Sequence, residues 1–162
     1  MNISRKTDYA LRMLSMLAED ESGLLSVRTA AEAVDVPYSF ARSIQHGLVQ
    51  AGIIESLRGV RGGMRLKADP RDVTMRQIVE AVQGPLVMND CTGGECACAR
   101  MDGCCYHPIW AGAQALLRDY LDSVTLHDVV THSQFPAVDL KFADRSRFVE
   151  YATCSGSCDR AE

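Results

Sequence analysis

Apolar side chains recur at helical spacing through residues 4–20, with Leu11, Leu14 and Ala18 on one line and Met13, Met16 and Leu17 beside it. That period predicts an amphipathic helix. Thr7 and Asp8 fall in or near its first turn, where the helix dipole favours an acid. Glu19, Asp20, Glu21 and Gly23 then break the pattern. Ser26 stands where an N-cap belongs, and a short helix follows through Val34 with Val27, Ala30, Ala31 and Val34 inward. Asp35, Val36 and Pro37 make a tight turn, and Pro37 suits the first position of a third helix. The third helix runs to about Ala51 and stops at Gly52. Phe40, Ala41, Ile44, Leu48 and Val49 form its expected buried stripe; Tyr38, Ser39, Arg42, Ser43, Gln45 and His46 stay on its amino-terminal and outer faces.

Two short helices joined by a tight turn, the second with a polar outer face, predict a helix-turn-helix. Its second helix would lie in the major groove. Residues 53–66 read next as two short strands around a glycine-rich turn bearing Arg58 and Arg61. Placed after a helix-turn-helix, such a hairpin is a wing whose arginines can pair bidentately with phosphate. Thr74 can cap a helix through about Val82, which Gly84 and Pro85 end. Pro108 opens a longer helix to about Val124, with Trp110, Ala113, Leu117, Tyr120 and Val124 in a three-four alternation widened by Leu116 and Leu121. That stripe is too apolar for one small domain to cover, so it predicts a dimerisation helix. Residues 125–130 read as one more capped turn, and residues 133–162 carry only weak periodicity.

The expected fold is therefore mostly α with a small β-wing. It divides into a winged helix-turn-helix over 1–84, a loop over 85–107, the dimerisation helix over 108–132 and a C-terminal extension over 133–162.

Charge sharpens this picture. The net charge of −4 argues by itself against a polyanionic partner. Yet residues 36–67 hold Arg42, Arg58, Arg61, Arg65 and Lys67 against Glu55 alone, a local +4. Residues 71–162 hold eight basic and thirteen acidic side chains, a local −5. A basic face on an acidic body suits double-stranded DNA bound through one surface, with Tyr38, Ser39, Arg42, Arg58 and Arg61 as the contacting residues.

Five of the seven cysteines, Cys91, Cys96, Cys98, Cys104 and Cys105, crowd between the wing and the long helix. The amino terminus lacks the apolar core of a signal peptide, and no apolar run reaches membrane-spanning length, so a cytoplasmic setting is expected. Disulfides are disfavoured there, and clustered thiols read as metal ligands or redox groups. Free N–H groups at the start of the following helix would face the loop and favour an anionic centre. A structural zinc site is the competing reading, but zinc usually takes Cys-x-x-Cys pairs and none occurs here. Cys154 and Cys158 fall in the tail as a spare pair that could form a disulfide on oxidation.

Several stretches together resemble the Rrf-two family of bacterial winged-helix regulators. They are residues 6–12, residues 51–59 with Gly62, Gly63, Arg65 and Leu66, the cysteine loop with Cys104, His107 and Trp110, and residues 124–126. The resemblance spans about residues 1–132. It implies a homodimer on palindromic promoter DNA, with a 2Fe–2S or 4Fe–4S iron–sulfur cluster held by three cysteines per subunit. Family spacing puts five residues between successive cysteines. Cys98 and Cys104 keep it, whereas the interval from Cys91 departs. The implied set is Cys91, Cys98 and Cys104, with Cys96 as rival for the middle place and Cys105 a spare thiol or alternative ligand. The fourth ligand would be His107, as in IscR-like members, or Asp8 from the partner subunit, as in NsrR-like members.

The expected function is a DNA-binding regulator whose promoter affinity follows cluster state, in response to redox conditions, nitric oxide or iron–sulfur status. A cluster-free alternative, held by zinc or switched by thiols, or a protein-interaction module, shares the same fold. No nucleophile–base pair, phosphate-cradling loop or paired carboxylates point to an enzyme.

Overall fold

The computed structural model describes residues 2–20, 23–59, 62–93, 104–131 and 135–136. Arg61, Cys96, Cys98, Cys154 and Cys158, and nearly all of the tail, lie outside the described residues.

Helix α1 spans Arg5–Glu19. Ser4 caps it, accepting the Thr7 N–H, and Asp8 sits in the first turn. α2 (Val27–Ala33) begins at the Ser26 cap expected from sequence. α3 (Tyr38–Gln50) takes Pro37 as its N-cap rather than as its first residue, and no side chain caps it. Gly52, at φ +73°, follows its C-cap Ala51.

Strands β1 (Ile54–Leu57) and β2 (Gly63–Leu66) pair antiparallel, Ile54 opposite Leu66 and Leu57 opposite Gly63. Leu25 adds a bridge to Met64, which ties the wing back to the start of α2. Gly59 holds φ +111°, a backbone conformation that L side chains rarely adopt, so the wing turn depends on it.

α4 (Met75–Gln83) opens with a complete capping box between Thr74 and Gln77. Gly84 closes it at φ +89°. α5 (His107–Asp122) starts one residue before Pro108, and α6 (Leu126–Val130) starts from a second capping box, Thr125 with Asp128. The Thr125 hydroxyl and then its N–H hold the Asp128 carboxylate below its usual range.

One core joins these elements. Ala10, Met13, Leu14, Ile44, Leu48, Ile54, Met64 and Ile78 are buried in it, and so is Leu126. Close packing of α3 on α4 needs Gly47, because a Cβ there would stand 2.6 Å from the Ala81 carbonyl oxygen. Among the described residues no helix is long and apolar enough to cross a membrane.

Two side chains on α3 differ from their expected places. Gln45 is buried at 8% exposure, because its Nε2 donates to the Ser56 hydroxyl at 2.9 Å and pins the helix to the wing. Val49 is exposed at 36%, on the wall of an open groove between α3 and the wing.

Candidate nucleic-acid interface and cysteine centre

Two features stand out, at opposite ends of the chain's chemistry. The first is an open groove between α2, α3 and the wing, lined by Arg28, Tyr38, Arg42, His46 and Arg58 among others. Tyr38, Ser39, Arg42, His46 and Arg58 are all exposed. Arg28 lies 5.3 Å from the centroid of the Tyr38 ring, a cation–π contact that orients the phenol on the groove wall. Arg28 was not among the expected contacts. Its signal was its place two residues after the Ser26 cap, on the same side as the start of α3. Within the basic stretch the only acid, Glu55, is taken up across the strands by Arg65. Arg42 and Arg58 thus face the groove without a competing carboxylate from that stretch.

The second is the cysteine segment. Cys91 sits in a 3₁₀ turn, Asp90–Thr92, and is half-buried. Cys104 is half-buried just before α5, and its carbonyl accepts the His107 N–H at 3.3 Å. Cys105 is exposed. All three are free thiols. The Nδ1 atom of His107 is buried and, among the described residues, has no hydrogen-bond partner. A buried, unpaired imidazole nitrogen calls for a further ligand such as a metal ion.

The N–H groups expected to be free at the start of α5 are largely engaged. His107 N–H reaches Cys104, those of Ile109 and Trp110 reach the Tyr106 carbonyl at 3.1 and 3.3 Å, and Pro108 has none. What remains for an anion there is the helix dipole.

Asp8 is exposed and paired with Arg12 at 3.0 Å on its own helix. Among the described residues no group of three or more His, Cys, Asp or Glu side chains stands ready to hold a metal. The middle thiol, Cys98 or Cys96, lies outside them. The donors present nonetheless fit an iron–sulfur group: soft thiols on both flanks of the loop and an orphan imidazole beside one of them.

Sequence reasoning missed the polar ties around this segment. The Ser4 N–H and the Thr7 hydroxyl both donate to Gln83 Oε1, at 3.0 and 2.8 Å, fastening the start of α1 to the end of α4. Arg76 Nε bridges both oxygens of Asp122 at 2.8 Å, fastening α4 to the end of α5. The Asp122 carboxylate raises the pKa of Arg76 further. Gln114 on α5 is buried and bonded to the turn that carries Cys91.

A family model described as an iron-dependent transcriptional regulator, Rrf2, matches residues 3–132. The chain belongs to the Rrf2 family. It is 32% identical over 147 residues to the transcriptional repressor NsrR of Streptomyces coelicolor, covering 90% of this chain and 98% of that one. It is 30% identical over 142 residues to the regulator NsrR of Bacillus subtilis, covering 83% and 93%. The structure of CymR, the global cysteine regulator of B. subtilis, superposes with a TM-score of 0.66 over 83% of this chain and 99% of that chain, at 24% identity, and shares the winged-helix fold. This Rrf2 protein is a transcriptional regulator, and its groove and wing belong to a DNA-binding fold.

Proposed function

We propose that this Rrf2 protein is a homodimeric regulator whose affinity for promoter DNA is set by an iron–sulfur cluster. Cys91, Cys104 and Cys98 would hold the cluster, with Cys96 as rival to Cys98. His107 or Asp8 of the partner subunit would complete the set. The buried Nδ1 of His107 beside Cys104, unpartnered among the described residues, carries this reading. The cluster supplies a centre whose charge and ligation change on oxidation or with nitric oxide. The chain's own part is to place thiols on both sides of the loop and to link them to α5.

The same α5 leaves Ile109, Trp110 and Leu116 exposed at 59%, 39% and 51%, an apolar face that supports pairing with a second copy. A shift of the loop would move α5 and so the spacing of the two α3 helices. Such coupling requires that DNA be bound differently in the two cluster states.

The test is an anaerobic purification with visible spectrum, iron and sulfide analysis and DNA binding before and after cluster removal. Brown protein with sulfide, and a change in affinity on removal, is the expected result. Colourless protein holding stoichiometric zinc would overturn it in favour of a zinc-held or thiol-switched regulator.

Tyr38, Ser39 and Arg42 on α3 would meet base edges and nearby phosphates, and Arg58 and Arg61 on the wing would meet phosphate. Arg58→Ala is expected to weaken DNA binding about tenfold per half-site, near the worth of a charge-assisted hydrogen bond. The slope of log affinity against log salt should flatten by about 1 per half-site. Fluorescence anisotropy across a salt series reads both, and an unchanged slope would place Arg58 off the phosphates.

A further inference from the structure

The side chain of Gln114 has no part in the DNA-reading groove or in the proposed ligand set, yet it is buried at 6% exposure on α5. Its Oε1 accepts the Met88 N–H at 2.8 Å and the Thr92 hydroxyl at 2.7 Å. Its Nε2 donates to the Thr92 carbonyl at 3.0 Å. These bonds grip the chain on both sides of Cys91. One turn further along α5, Arg118 Nη2 donates to the Leu86 carbonyl at 3.2 Å. A single face of α5 thus holds the segment that leads into the cysteine loop, and the same helix begins at His107, whose N–H is bonded to the carbonyl of Cys104 just before it.

We infer that Gln114 is the positioning residue that sets where the Cys91 thiol stands relative to Cys104 and His107. This rests on the cluster reading above. A rigid helix gives both flanks of the loop one frame. His107 and Gln114 are two turns apart on it, so the turn bearing Cys91 is registered against the helix end by the amide. The amide offers acceptor and donor from one planar group, which is what the Thr92 hydroxyl and carbonyl require together. A leucine of similar size offers neither. Groups that orient a metal ligand without touching the metal commonly change its affinity when removed.

The experiment compares full-length wild type, Gln114→Leu and Gln114→Glu. In reduced, cluster-free protein, iodoacetamide labelling is followed by peptide mass spectrometry, with exposed Cys105 as internal reference. Gln114→Leu is expected to raise the Cys91 to Cys105 labelling ratio at least about fivefold, the effect of losing a hydrogen bond that holds a turn shut. Gln114→Glu keeps oxygens that accept from Met88 and Thr92 but sets a carboxylate against the Thr92 carbonyl in place of the donor, so it should raise the ratio as well. In anaerobically reconstituted protein, Gln114→Leu should alter the visible circular dichroism and lose its cluster to a chelator about tenfold faster. If Gln114→Leu does not fold, Thr92→Val removes the same hydroxyl bond from the other side and should raise the ratio as well. An unchanged labelling ratio would overturn the positioning role. Wild type that takes up neither iron nor sulfide would overturn the cluster reading instead, and the labelling ratio would still decide the role of Gln114.

Discussion

Replacing Cys104 by serine is expected to cut the iron and sulfide content of the anaerobically purified protein at least about tenfold. It should also make affinity for a selected DNA operator the same with and without nitric oxide. Cys104 is half-buried and lies outside the core, so the smaller hydroxyl leaves little void. Its contribution to α5 is its carbonyl, which receives the His107 N–H, and serine keeps that carbonyl. The fold should therefore survive, with an unchanged far-ultraviolet spectrum. What is lost is the soft anionic ligand, since a serine hydroxyl is not deprotonated at neutral pH and matches iron–sulfur centres poorly. Metal analysis, visible absorption and anisotropy on the same preparation read the outcome. Full iron content with the wild-type spectrum would exclude Cys104 from the ligand set and point to the adjacent thiol of Cys105.

Much of this architecture could be read from residue order. Ser26, Thr74 and Thr125 each announce a helix start, and each caps one, because an N-cap is decided within four residues. The wing was legible for the same local reason: two short strands around glycines that only a tight turn requires. Gln45, Gln83 and Gln114 were not legible. Each makes its bonds to a residue on another element, at separations of 11, 76 and 22 residues. A polar side chain on a helix reads as outward until its partner is known. Burial then follows from satisfied hydrogen bonds rather than from apolarity. The buried nitrogen of His107, unpartnered among the described residues, is of the same kind, since such a position is a property of packing that no spacing rule contains.

Among stability variants, Leu126→Ala should have the largest effect, although Leu126 lies after the cysteine loop and α5. α6 has five residues, too few to hold together as an isolated helix. It persists because Leu126 is fully buried in the same core as Ala10, Met13, Leu14 and Ile78. The Leu126 N–H donates to the Val73 carbonyl, and the Met75 N–H to the Val124 carbonyl, both at 2.8 Å. Truncation leaves a cavity that neighbouring helices cannot close, at about 3 kcal/mol. Thermal unfolding of the cluster-free protein should then fall by about 6–12 °C. Leu116→Ala, on the exposed face of α5, should leave the midpoint of a dilute sample nearly unchanged and weaken self-association instead. Scanning calorimetry with sedimentation at matched concentrations separates the two. Equal midpoints for both variants would mean that α6 is not part of the cooperative core.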